Sequence, residues 1–110
     1  YDKKWTFLPC EEVLKIALEH QSRGADMAKI VTNADTEEEL TENFKTYFYV
    51  KEKLDIPLLF LCNGKKCIPH RLAGALIGEP IVFTKEDSYV TDPKSAQQSI
   101  TVIKSLMDKF

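Results

Sequence analysis

Neither sign of charge dominates this chain: 15 Lys and Arg stand against 17 Asp and Glu over 110 residues, for a formal net charge of -2. A nucleic acid or an acidic membrane surface needs a basic face that scattered positive residues do not supply, so neither is expected as a partner. Long apolar runs are lacking too. The longest, Ile56 to Cys62, is seven residues and contains Pro57, against the roughly 20 that span a bilayer. No secretory hydrophobic region is recognisable. Cysteine is sparse: Cys10, Cys62 and Cys67 make no even-numbered framework, and a core of this size needs no disulfide staple. A reducing, cytoplasmic compartment is the expectation. There is no GxGxxG, no Walker loop, no nucleophile elbow and no CxxC pair. Internal repeats, low-complexity tracts and linkers are absent. An initiating Met is missing as well, so sequence trimmed, processed or left out upstream of Tyr1 is expected.

What is present is ordinary globular material, 44% hydrophobic and 29% charged, enough for one domain with a core. Residues 9–23 carry Val13, Leu14, Ile16, Ala17 and Leu18 at three-and-four spacing behind Glu11 and Glu12, which predicts an amphipathic helix closed by Gly24. Residues 26–32 predict a short buried strand around Ile30 and Val31. Thr36 and Glu39 have capping-box spacing at the head of a long helix over 36–54, with Phe44, Tyr47 and Phe48 as core. A second buried strand follows over 56–62, then a turn at Asn63-Gly64. Ile68, Leu72, Ala75, Leu76 and Ile77 predict a third helix closed by Gly78, and a third strand is predicted over 80–84. Asp92-Pro93 reads as the N-cap and first residue of a last helix whose face holds Ala96, Ile100, Ile103, Met107 and Phe110. Strands too apolar to face water, alternating with helices, predict a parallel sheet with right-handed crossovers. Three strands and four helices fit either a small open sheet or part of a barrel, and composition does not choose between them.

Lys29 is the most informative single residue. Among Met27, Ala28, Ile30 and Val31 its ammonium would lose hydration, which lowers a lysine pKa and makes the amine a nucleophile toward carbonyls. The plainer alternative is a lysine that reaches solvent or pairs with a carboxylate. Arg71 follows the second strand, where a guanidinium suits bidentate carboxylate binding; a surface ion pair is its plainer alternative. Cys62, Cys67 and His70 cluster within nine residues, yet without a fourth ligand or a CxxC pair they do not predict a metal site.

These residues coincide with a family pattern. Gly24-Ala25-Asp26-Met27-Ala28-Lys29-Ile30-Val31 resembles the GADIxKIA segment of type I 3-dehydroquinate dehydratase, whose lysine forms a Schiff base. Ile56-Pro57-Leu58-Leu59 resembles the family's next strand. Arg71-Leu72-Ala73-Gly74 resembles its SRLAG segment, whose arginine binds the substrate carboxylate. Gly78-Glu79-Pro80-Ile81-Val82-Phe83 resembles the GSxxTF strand, whose phenylalanine lines the pocket. The resemblance covers nearly all of the chain. It implies an α/β fold of parallel βα units, the C-terminal half of a (β/α)8 barrel that typically has about 250 residues, and hence residues 1–110 as a single partial domain.

The resemblance further implies dehydration of 3-dehydroquinate to 3-dehydroshikimate in the shikimate pathway. Lys29 would be catalytic, Arg71, Phe83 and Thr91 would bind substrate, and neither metal nor organic cofactor is required. The partner would be an N-terminal half-barrel or a second copy of the chain. Two departures stand beside the matches. Tyr1 falls opposite the family's proton-shuttling histidine if Asp2 is aligned, so the shuttle is either replaced or lies upstream. The late SAPGQ loop appears as Thr91-Asp92-Pro93-Lys94-Ser95, keeping a hydroxyl at Thr91 and losing the reach of glutamine. A non-catalytic relative that binds a metabolite or a protein, and an independent three-stranded module with a structural Lys29, therefore remain as alternatives.

Overall fold

The structure is a computed structural model that describes residues 1–2, 5–86 and 96–109. Helix α1 is Cys10–Ser22, with Pro9 at its N-cap, Glu11 and Glu12 in its first turn, and Gly24 at φ 85° just past its end. Strand β1 is Ala28–Asn33 and β2 is Leu58–Asn63. They pair in parallel, Ala28 with Leu58 through Asn33 with Asn63. Between them runs α2, Glu37–Lys53. Its N-cap Thr36 accepts from the Glu39 N–H, while the Glu39 carboxylate accepts from Asp35 N–H one residue further out. The capping signal is thus realised with the return bond displaced by one residue.

On its other edge β1 carries a parallel bridge to Asp2, with Val31 N–H donating to the Tyr1 carbonyl at 2.9 Å. The strand order is therefore residues 1–2, β1, β2, sequential and parallel, as expected of βα units. One face of the sheet packs on α1 and α2, burying Ala28, Ile30, Leu58 and Phe60 against Leu8, Val13, Ala17, Tyr47 and Val50. Val31, Leu59 and Leu61 form a smaller apolar cluster with Met27. Their period-two positions put them, with Lys29, on the opposite face.

After β2 the chain turns at Gly64, passes a 3-10 turn at Lys65–Cys67, and enters α3, Ile68–Ile77. Gly78 ends α3 in the left-handed conformation, as predicted from its position. The third strand does not form over 80–83. The only strand residues there are β3, Thr84–Lys85, which pairs in parallel with β4, Gln98–Ser99. Two physical reasons account for the difference. Pro80 has no N–H to give a ladder, and the free-edge N–H of Phe60 already donates to the Glu79 carboxylate at 3.2 Å.

The last helix, α4, is Ile100–Asp108, capped by the Ser99 hydroxyl, which accepts from Val102 N–H. The predicted start at Asp92-Pro93 lies outside the described residues. Ala96 is not helical; it is buried in a cluster with Ala34, Cys62 and Cys67. Of the other residues on the predicted apolar face, Ile103 is buried, Ile100 and Met107 are exposed, and Phe110 lies outside the described residues. Phe48 likewise lies on the surface rather than in the core. The expectation of unpaired cysteines also fails, because Cys62 and Cys67 are joined by a disulfide with Cα atoms 5.5 Å apart, leaving Cys10 free. The 3-10 turn brings two positions separated by five residues to bonding distance, which linear spacing does not reveal. Among the described residues, no helix is long and apolar enough to cross a membrane.

Candidate functional site

Lys29 sits second in β1, in register with Leu59, on the sheet face turned away from α1 and α2. It is exposed while its neighbours Ala28 and Ile30 are fully buried on the other face. The burial expected for its ammonium is therefore not found, because alternation along a strand separates a lysine from its apolar sequence neighbours. Its Nζ stands 5.5 Å from the centroid of the Phe83 ring, a cation-π geometry.

Phe83 leads to the second group. A cavity of about 20 Å³ between the free edge of β2 and residues 79–83 is lined by Phe60, Leu61, His70, Arg71, Glu79 and Phe83, among others. Arg71, on the first turns of α3, reaches back to the C-terminal end of β2. Its Nε donates to the Cys62 carbonyl and its Nη2 to Asn63 Oδ1, both at 3.0 Å. These bonds orient the guanidinium and use only part of its five-donor fork. Burial pulls the Arg71 pKa down, and the charge of Glu79 works against that shift. Lys29, Phe83 and Arg71, far apart in sequence, thus converge along one side of the molecule. Thr91 lies outside the described residues.

Glu79 and His70 are the residues that sequence reasoning missed as site components. Glu79 tucks under α3, its Cγ so near Gly74 that a Cβ there would lie 3.2 Å away. The glycine of Arg71-Leu72-Ala73-Gly74 is thus the place where the helix passes over this carboxylate. Burial raises the Glu79 pKa to about 7, opposed by the Phe60 N–H, Arg71 and Lys51. His70 is 1% exposed and enclosed by the rings of Phe44, Tyr47 and Phe60, with centroids 4.7, 6.3 and 5.9 Å away. Burial, then the nearby Arg71 charge, depress its pKa to about 4. The sequence signal lies in the resemblance itself, since His70 and Glu79 occupy the serine positions of the SRLAG and GSxxTF segments.

In the cysteine and histidine cluster Cys62 bonds Cys67 and His70 faces aromatic rings. Among the described residues, no group of three or more His, Cys, Asp or Glu is placed to hold a metal ion. At the late loop, Gln97 Nε2 donates to the Thr84 carbonyl at 2.7 Å, tying the entry of α4 to β3.

The type I 3-dehydroquinase family profile matches residues 5–108. A 3-dehydroquinate dehydratase of Geobacillus sp. (strain WCH70) is 31% identical over 75 residues, which cover 68% of this chain and 29% of that protein. The crystal structure of 3-dehydroquinate dehydratase from Geobacillus kaustophilus HTA426 superposes with a TM-score of 0.81 at 21% identity, covering 94% of this chain and 39% of that one. The type I enzyme from Clostridium difficile, solved with covalently modified comenic acid, gives 0.80 at 22% identity, with 94% and 40% covered. The Enterococcus faecalis 3-dehydroquinate dehydratase gives 0.76 at 18%, with 100% and 41% covered. At these identities the structures establish the fold, parallel βα units of a (β/α)8 barrel, and this chain spans about two fifths of each. With the family profile matched across almost its whole length, the chain belongs to the type I 3-dehydroquinase family.

Proposed function

We propose that residues 1–110 are the C-terminal half of a barrel that dehydrates 3-dehydroquinate to 3-dehydroshikimate through a Schiff base on Lys29. An N-terminal half-barrel or a second copy of this chain completes the site. The observation that carries this reading is that the Lys29 amine lies over the Phe83 ring while Phe83 and Arg71 line one cavity. An amine, an apolar ring wall and an oriented guanidinium suit a small cyclic keto acid.

In this scheme the Lys29 amine adds to the substrate ketone, and loss of water gives an imine. The protonated imine draws electron density from the adjacent carbon, whose proton a general base removes. The electron pair then expels the hydroxyl group, which leaves as water after taking a proton. Hydrolysis of the imine frees the product and restores Lys29. Arg71 holds the carboxylate with the donors not committed to Cys62 and Asn63, and so fixes the ring face presented to Lys29. Thr91 supplies a hydroxyl contact from the late loop. A cytoplasmic location goes with this biosynthetic chemistry, although a disulfide such as Cys62–Cys67 is more common in oxidising compartments.

Borohydride reduction of the intact protein in the presence of 3-dehydroquinate, followed by peptide mass analysis, tests the proposal. A reduced adduct on Lys29 is the expected result, and an unmodified Lys29 overturns it. A non-catalytic relative is the second reading, favoured by the Glu79 charge beside Arg71, which opposes an incoming carboxylate. Measurable turnover by the intact protein excludes that alternative.

A further inference from the structure

The cavity beside Arg71 contains two polar atoms that the dehydration scheme does not use. His70 Nε2 and Glu79 Oε1 are both out of contact with solvent, and neither has a hydrogen-bond partner among the described residues. Both side chains line the same cavity. Two buried, unpartnered polar atoms each cost roughly 1–3 kcal/mol unless satisfied. The cavity volume of about 20 Å³ is above the roughly 10–15 Å³ needed for one water. Phe60 N–H holds Glu79 Oε2 and aromatic rings surround His70, which leaves His70 Nε2 and Glu79 Oε1 as the unpartnered buried atoms of two side chains that line this cavity.

We infer that His70 Nε2 and Glu79 Oε1 form a proton-sharing pair bridged by a single water bound in this cavity. With Glu79 ionised, the imidazole carries its proton on Nε2 and donates to the water, which donates to Oε1. With Glu79 protonated, Oε1–H donates to the water, the water donates to Nε2, and the imidazole proton sits on Nδ1. The two states differ by one proton taken up from solvent and by the tautomer of a ring that stays neutral in both. The groups that face Glu79 are His70 and Arg71 from α3, Tyr47 and Lys51 from α2, and the Phe60 N–H of β2. Lys29 of β1 reaches the Phe83 ring at the cavity's edge. His70 and Glu79 both replace serines of the family pattern, and a proton shared between them is independent of whether Lys29 forms an imine.

Nitrogen-15 NMR of the intact protein labelled in histidine reads the tautomer directly, and the described chain contributes only His20 and His70. The His70 Nε2 resonance is expected to move by tens of parts per million between pH 5.5 and 8.5, with a midpoint near 7, where Glu79 titrates. In Glu79→Gln that step disappears. A wild-type His70 resonance that stays constant over this range overturns the pair, as does a step that survives in Glu79→Gln. Should the glutamine variant fail to fold, Glu79→Ser, which restores the family's residue, replaces it and must equally abolish the step. A crystal structure at pH 8 separates the bridged form from a direct contact: a water within hydrogen-bond distance of both atoms supports it, and a direct His70 to Glu79 bond overturns it. None of these readouts depends on turnover.

Discussion

Glu79 and His70 are shifted in opposite directions by the same burial, Glu79 from 4.5 to about 7 and His70 from 6.5 to about 4. The fold favours protonated Glu79, so that contribution is full below pH 4.5 and is lost as pH rises to about 7. It favours neutral His70, so that contribution is full above pH 6.5 and is lost as pH falls to about 4. Between pH 4.5 and 6.5 the two residues together bind one proton in either state: the histidine holds it in the unfolded chain and the glutamate in the folded one. Their pH slopes cancel there. Urea unfolding of Glu79→Gln should expose the histidine alone, with stability rising by on the order of 2–3 kcal/mol from pH 4 to 6.5. The wild-type contribution from this pair should stay level over the range they share. A Glu79→Gln protein whose stability is flat over that range would show that His70 is not held neutral by the fold. The same pairing explains why the sequence did not bring the two residues together: they meet only once α3 is laid across residues 79–83.

At the scale of elements, the turn between β2 and α3 is the most constrained. Gly64 has φ 95° and ψ 151°, a region that only glycine occupies readily. A Cβ there would lie 2.5 Å from the Ala34 carbonyl oxygen and 3.1 Å from Asn33 Oδ1, both at the end of β1. The loops after the two strands therefore meet backbone to backbone, which brings Asn63 within reach of Arg71. Gly64→Ala should destabilise the fold by about 2–4 kcal/mol in urea unfolding and weaken the positioning of Arg71. A loss under about 0.5 kcal/mol, the range of ordinary surface substitutions, would sink this account. Helices α1, α2 and α3 and the first two strands were legible within two residues at either end, because caps, first-turn acids and terminal glycines are local signals. The third strand was misplaced because its failure depends on a side chain, Glu79, competing for a ladder donor. Helix α4 begins only at Ile100 because residues 98–99 pair with β3 before it.

For the whole molecule, Ile100, Val102 and Met107 on α4 and Leu76 on α3 are each more than 40% exposed, as are Ile81 and Phe83 at the mouth of the cavity. The far face of the sheet is less open than a bare half-barrel would suggest: Val31, Leu59 and Leu61 are buried within this chain. The unpartnered apolar surface therefore lies along the helices and the 81–83 segment. Side chains of this size left in water favour association with matching elements. Sedimentation of the isolated 110 residues should show concentration-dependent self-association. A clean monomer over the micromolar range would count against the half-barrel reading and toward an independent module.

The sequence by itself determined the α/β class, the order of parallel βα units, the family pattern and the three residues, Lys29, Arg71 and Phe83, that converge. Those follow from periodicity, local caps and short motifs, all of which act over a few residues. Only the tertiary structure decided that Lys29 is exposed beside Phe83, that Arg71 is tethered to Cys62 and Asn63, and that Cys62 reaches Cys67. It also decided that His70 and Glu79 share a cavity. The physical reason is common to all of these: each depends on which face a strand turns toward its helices and on which donors neighbouring segments leave free, and neither quantity is encoded within one local stretch of chain.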